Sequence, residues 1–204
     1  MTRELRWRII ALQVILVIVF AAGAGMAYWG YTFNTSQIRA QLEPQKIFFP
    51  ADVTETVAEL QAYPDLVPYV DDLQKYQGQQ VLNGEQAHVF AEAYLGLHLR
   101  TLADGKVYSE LSTEARAEQD PALKAEKNAL VQTAFRGETL RSMLNQAWAF
   151  SIFGTMAFYA AIGLGVVALV VLGALVFEMF FARKPVEVQV RTPFITPAPT
   201  TTRA

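Results

Sequence analysis

His88 and His98 are the only imidazoles in this 204-residue chain, and cysteine is absent. Without thiols, the chain excludes disulfide frameworks, zinc–thiolate sites, iron–sulfur clusters and cysteine nucleophiles. On one helix the two histidines stand ten residues apart, about 80° round the axis at roughly 100° per residue, so they are not the i, i+4 pair of a zinc-binding helix. His88 and Glu92 do have that spacing and could hold a metal, but they read first as an ordinary surface pair. His98 falls at the centre of an apolar stripe, where a lone histidine reads as a core residue with one hydrogen-bond partner; a ligand-binding or pH-sensing role is the alternative.

The most unusual polar run is Phe135–Arg141, in which Gly137, Glu138 and Arg141 share a broad helical face with Leu130 and Ala134. Glu138 and Arg141 form either an exposed i, i+3 pair or a partly buried ion pair that fixes helix register, with Gly137 letting a neighbouring helix approach closely. Carboxylates are plentiful, but no G-x-S-x-G, P-loop, H-E-x-x-H or glycine-rich phosphate cradle places them. No catalytic, metal or cofactor residue is therefore expected. The candidate interaction residues are Gly137, Glu138, Arg141 and His98.

The elements that would position these residues hang on two uncharged runs. Ser142–Phe177 carries no formal charge between Arg141 and Glu178, and Ile9–Tyr31 is a second apolar stretch. A hydrocarbon core of about 30 Å needs about 20 apolar residues at 1.5 Å each, so both runs are long enough to cross a membrane. The start of the first also reads as a secretory signal, with Ala22-Gly23-Ala24 as a cleavage site. Continued apolarity through Met26, Tyr28, Trp29, Tyr31 and Phe33 favours a retained anchor. Ala21 and Gly25 on the first run, and Ala157, Ala161 and Gly165 on the second, have the small-xxx-small spacing of close helix packing. No Asp, Glu, Lys, Arg or His lies deep in either run, which argues against a proton path or ion pore through one copy. Glu178, at the edge, is placed to pair with Arg8.

Charge is segregated along the chain. Residues 1–8 carry three arginines against one glutamate, residues 34–147 hold ten Lys/Arg against sixteen Asp/Glu for a net of −6, and the last part is again basic. Because Lys and Arg near span ends set orientation, both termini are expected in the cytoplasm and the acidic block outside. That acidity argues against nucleic acid as a partner.

Within the block, Pro44 is expected to end the first helix, and Asp52 to start a short helix over Val53–Ala62. Ile47-Phe48-Phe49-Pro50 reads as an apolar link plugging a core, or else dipping into headgroups, and Val67–Gln80 reads as another helix. Asn83 caps a helix over Gly84–Ala103 with the apolar stripe Ala87, Phe90, Ala91, Tyr94, Leu95, His98, Leu102. Ser109 or Ser112 caps a short helix to about Gln119. Asp120-Pro121 then starts a stalk helix running into the second span. The Pro/Thr-rich end cannot bury enough surface to fold. The domain reading is thus 1–8 basic cytoplasmic tail, 9–33 transmembrane helix, 34–147 exoplasmic all-α domain, 148–181 transmembrane helix, and 182–204 disordered tail.

The stretches NGEQAHVFAEAYLGLHL (83–99), GKVYSELS (105–112) and VQTAFRGETLRSMLNQAW (131–148) resemble a family of uncharacterised two-pass membrane proteins from actinobacteria. The resemblance implies a plasma-membrane location and carries no known activity or site residues. Members are sometimes labelled ring-opening dioxygenases, but the 2-His-1-carboxylate set such chemistry uses is not spaced here. The expectation is an all-α membrane protein in which two transmembrane helices bracket an exoplasmic helical bundle. It would act without catalysis as a membrane-anchored interaction module, an accessory or assembly subunit of an envelope complex, with the lipid bilayer and either a membrane protein or a second copy of itself as partners. A ligand-sensing ectodomain that signals through a separate partner is the alternative.

Overall fold

Asp120 and Pro121 begin the element that organises the chain. In the computed structural model, which describes residues 3–181, the Asp120 carboxylate accepts from the backbone N–H groups of Ala122 and Leu123 at 2.8 and 3.1 Å. Proline at the first helical position lacks the N–H that would otherwise be orphaned. The helix so started, Pro121–Phe180 (60 residues), runs unbroken, about 90 Å at 1.5 Å per residue. It is the last of seven α-helices among the described residues and is called α7. The first, α1, spans Arg3–Leu42. Both are long and apolar enough to cross a membrane. The tail 182–204, expected to be disordered, lies outside the described residues.

α1 and α7 pack antiparallel along a seam of seven-residue period. On α7, Gly154, Ala161, Ala168 and Leu175 are buried, while Gln13, Phe20, Ala27 and Asn34 are half-buried on α1. A strict seven-residue repeat keeps the seam facing its partner when the pair coils left-handedly. Polar contacts close the seam at both ends. Arg6 Nη2 donates to the Glu178 carbonyl at 2.6 Å and its Nε lies 3.2 Å from the Glu178 carboxylate, so Arg6, rather than the expected Arg8, is the partner. Arg8, two residues on, is rotated off the seam and exposed. At the other end Asn34 Nδ2 donates to the Phe150 carbonyl at 2.6 Å. Twenty-eight residues separate the two contact points on each helix, so the register holds over about 42 Å.

The small residues sort unequally on this seam. Ala161 is buried and Ala157 and Gly165 are half-buried on α7, but Ala21 and Gly25 are exposed on α1, and a Cβ added at Gly25 would meet nothing within 4 Å. Gly23 takes the inward place instead, its added Cβ coming 3.3 Å from Leu164.

Between the two long helices the chain is short-helical. α1 ends in a 3-10 turn, Glu43–Gln45, at Pro44. Residues 47–50 then run extended against 78–81, with Phe49 N–H to Gln79 O and Val81 N–H to Ile47 O both at 2.9 Å. Phe49 is buried in the core while Phe48 is exposed. α2 is Thr54–Leu60, with the Thr54 amide and hydroxyl both bonded to Asp52. The helix expected over Val67–Gln80 is shorter: a 3-10 turn at Val67–Tyr69 leads into α3, Val70–Lys75. Gly78 turns the chain at φ +69°, and pairing with 47–50 holds residues 79–81 extended. α4 is Gly84–Val89, capped by Asn83 Oδ1 on the Gln86 amide.

The single helix expected over Gly84–Ala103 is interrupted by π-helical turns at Phe90–Gly96, after which α5 covers Leu97–Leu102. α6, Tyr108–Ala117, starts before Ser109 and is held by Glu110 accepting the Val107 N–H at 2.9 Å. Its Leu111 and Ala115 pack on Val131 and Ala134 of α7. The larger core gathers Phe49, Leu60, Leu73, Val81, Phe90 and Leu97 against Ile38 and Leu42 of α1 and Leu144 of α7. No β-strand forms among the described residues; Phe48 and Gln80 make an isolated bridge.

Candidate functional site

An α-helix that opens into π turns gains one residue, and everything after it is rotated by about 100°. That rotation redistributes the expected apolar stripe. Ala87, Phe90 and Ala91 point into the core, but beyond the π turns the buried positions are Leu97 and Leu99, while His98 and Leu102 are exposed. His98 is therefore not the core histidine expected. Its Nδ1 lies 3.1 Å from the Tyr94 carbonyl, and it lines a surface cleft of about 490 Å³ with Asp52, Glu55 and Glu59.

The π segment brings Glu92 inward instead. It is the only formal charge between Glu85 and Arg100, and its side chain is 16% exposed. The carboxylate accepts from Arg141 Nη2 on one oxygen and from Asn145 Nδ2 on the other. A carboxylate can only accept, so Asn145 must turn its amide nitrogen to Glu92 and its oxygen to His88. His88 Nδ1 lies 2.8 Å from that oxygen and donates to it; in the neutral ring His88 Nε2, 3.2 Å from the Tyr69 hydroxyl, is then the acceptor. The His88 ring stacks on Trp148 at 4.0 Å and 10°. A single directed chain results, from the Tyr69 O–H through His88 and Asn145 to the Glu92 carboxylate and the Arg141 guanidinium. Arg141, Asn145 and the stacked Trp148 all stand on α7, at i, i+4 and i+7. His88 and Glu92, expected as a surface pair, are both half-buried and are bridged by Asn145.

Glu138 and Gly137 flank this network. Glu138 lies 3.6 Å from Arg141 and remains 48% exposed, a secondary partner beside Glu92. A Cβ at Gly137 would come 2.3 Å from a Leu99 methyl, and one at Gly96 would come 3.2 Å from the Ala91 carbonyl and 3.5 Å from Arg141 Nε. At Gly137 a side chain would therefore have to displace Leu99. The network borders a polar cleft of about 210 Å³ that also holds Asp65, Arg100 and Lys106; Arg100 grips Asp65 through both terminal nitrogens at 3.2 and 2.8 Å.

Burial alone would push the Glu92 carboxyl up, but hydrogen bonds from Arg141 and Asn145 and the Arg141 charge outweigh it, and the group is held below its ordinary 4.5. A carboxyl depressed on folding contributes stability that is complete above its unfolded pKa and is lost as pH falls through the folded value. The melting midpoint of the purified chain is therefore expected to hold at pH 5 and above with respect to this group and to fall as pH drops below about 4.5. Glu92→Gln should flatten that acid limb; an unchanged limb would show that Glu92 is not the group being titrated.

Among the described residues no group of three or more His, Asp or Glu side chains assembles in metal-binding geometry. The chain matches no protein-family model, no curated protein and no solved structure. Sequence reasoning named Arg141 but missed Glu92 as its partner, Asn145 as the bridge to His88, and Trp148 as the ring stacked on His88. The readable signal was Glu92 itself, a lone carboxylate in the apolar run Val89–Leu95, which needs a cation brought to it from elsewhere in the chain.

Proposed function

We propose that this protein is a membrane-anchored, non-enzymatic interaction module. In this reading α1 and α7 cross the bilayer as an antiparallel pair, both ends lie in the cytoplasm, and the short helices with the outer parts of α1 and α7 form an extracytoplasmic helical bundle. Trp7 and Trp29, 70% and 66% exposed, stand twenty-two residues apart on α1, about 33 Å, which suits the aromatic belts of a bilayer. The segregation of basic residues to the outer ends supports the orientation.

The observation that carries the interaction reading is the small-residue pair Ala21 and Gly25. It has helix-packing spacing, yet it faces away from α7 with open space over Gly25. A third apolar helix from another membrane protein can approach there as closely as α7 does on the seam. Tagged full-length protein, purified in mild detergent and analysed by mass spectrometry, is expected to retain one membrane protein at fixed stoichiometry and to lose it on Gly25→Leu. Recovery of a clean monomer, or a complex indifferent to Gly25→Leu, would remove this reading. A ladder of homo-oligomers sensitive to the same substitution would identify the partner as a second copy.

The polar cleft beside Glu92 and Arg141 favours a second reading, a ligand-sensing domain. A zwitterionic small molecule bound among Asp65, Arg100, Lys106 and Glu138 would touch the pair that ties the π segment to α7. Amino acids and short peptides that raise the melting midpoint of the full chain in detergent would support it.

A further inference from the structure

Two clefts open along the α1–α7 seam on the side of Asn34 facing the short helices, and they share Ile38, Gln41, Met143 and Ala147. Together they make one groove. Its lining combines apolar Ile38, Leu140, Met143 and Leu144 with the carboxamides of Gln37, Gln41, Gln45 and Gln146. Among the described residues no Asp, Glu, Lys, Arg or His lines either cleft, although residues 34–147 carry twenty-six formal charges, ten basic and sixteen acidic. Asn34 donates to the Phe150 carbonyl and Ser36 to the Phe33 carbonyl, whereas Gln37, Gln41, Gln45 and Gln146 make no side-chain hydrogen bond among the described residues, so their amides are free to bond an occupant. One mouth lies at Gly30, Phe33 and Phe150, one turn from Trp29; from Gly30 to Leu42 the groove follows α1 for about 18 Å.

We infer that this groove takes one lipid with an uncharged, hydroxyl-bearing headgroup. Its acyl chain would lie over Ile38, Met143 and Leu144, and its head would be bonded by the glutamine amides. The inference rests on the proposed membrane crossing, because the mouth is continuous with the bilayer only if Trp29, Phe33 and Phe150 mark its surface. A neutral aliphatic chain entering from the bilayer needs no charged lining, whereas a partner helix standing in water beside an acidic block would present charges for the groove to answer.

The full-length chain, reconstituted in dioleoylphosphatidylcholine vesicles with a diacylglycerol bearing a diazirine in one acyl chain, tests the assignment by peptide mapping of the photo-adducts. Adducts are expected at residues 37–47 and 140–147 as well as in the spans. Met143→Lys with Gln41→Lys, both at exposed positions, should lower the groove adducts about fivefold or more by putting charges where the chain lies, while span adducts and helix content stay unchanged. Adducts confined to the spans would overturn the groove and leave the membrane crossing standing. Adducts nowhere in the chain would overturn both. Equal groove labelling by a diazirine phosphatidic acid would overturn the preference for a neutral head. A photo-reactive residue in place of Met143 that captured a protein rather than lipid in cells would also overturn it.

Discussion

Gly84→Ala is expected to lower the melting midpoint of this protein, against the direction that helix propensity dictates. Gly84 opens α4, and alanine in a helix is favoured over glycine by about 1 kcal/mol. Yet a Cβ at Gly84 would come 2.3 Å from Ser151 Oγ, 2.4 Å from Ser151 Cβ and 3.0 Å from the Ala147 carbonyl. The hydroxyl can rotate away, but the Cβ and the backbone oxygen cannot. α4 must then lift from α7, loosening the core between Ala87 and Leu144, and overpacking of this kind costs about 1–3 kcal/mol. Gly84→Val should be worse. Ser151→Gly should rescue part of the loss and leave the part due to Ala147. Gly163→Ala, which meets nothing within 4 Å, is the control in which propensity acts alone. Circular dichroism melts in detergent read all four variants. A Gly84→Ala protein as stable as the parent would mean that α4 docks less closely than described.

The same glycine shows what the sequence could and could not carry. The Asn83 cap, the Asp120-Pro121 start and the stop at Pro44 were legible because each depends on a few adjacent residues. The two long apolar helices were legible because the absence of charge over Ser142–Phe177 is a property of composition. That Gly84 serves close approach to Ser151, sixty-seven residues away, is a tertiary fact with no local sign. The π turns at Phe90–Gly96 were hidden differently: Tyr94, Leu95 and His98 continue an unbroken 3.6-residue pattern, and only packing reveals that the extra residue turns Glu92 in and His98 out. The spacing of Ala21 and Gly25 is visible in the sequence, but α7 covers Gly23 instead, since a helix face is chosen by the whole seam rather than by its smallest residues.

Arg141→Met is expected to be among the most damaging single substitutions outside the apolar seam. It leaves the half-buried Glu92 with only Asn145 to bond it, and uncovering one partner of a fully buried pair costs about 3–5 kcal/mol. Because the Arg141 side chain is 33% exposed, water can reach part of the site and about 2–3 kcal/mol is the expected loss. Glu92→Gln should cost less, since a carboxamide still accepts from Arg141 without the charge. The double variant Glu92→Leu, Arg141→Leu should lie well above Arg141→Met, because removing both charges together also removes their desolvation.

With the single variants Glu92→Leu and Arg141→Leu measured beside it, additive losses would mean that the two side chains act independently. The double variant also separates structure from function. Tyr69, His88 and Asn145 remain in it, but Asn145 loses its carboxylate acceptor, and α7 and the π segment each lose one charge. If the refolded double variant still retains the membrane partner proposed above, the network holds α7 to the π segment and nothing more. If stability returns and the partner is lost, the charged face around Glu92 and Arg141 is itself recognised. That outcome would move the proposed interaction surface from Ala21 and Gly25 of α1 to the part of α7 around Arg141.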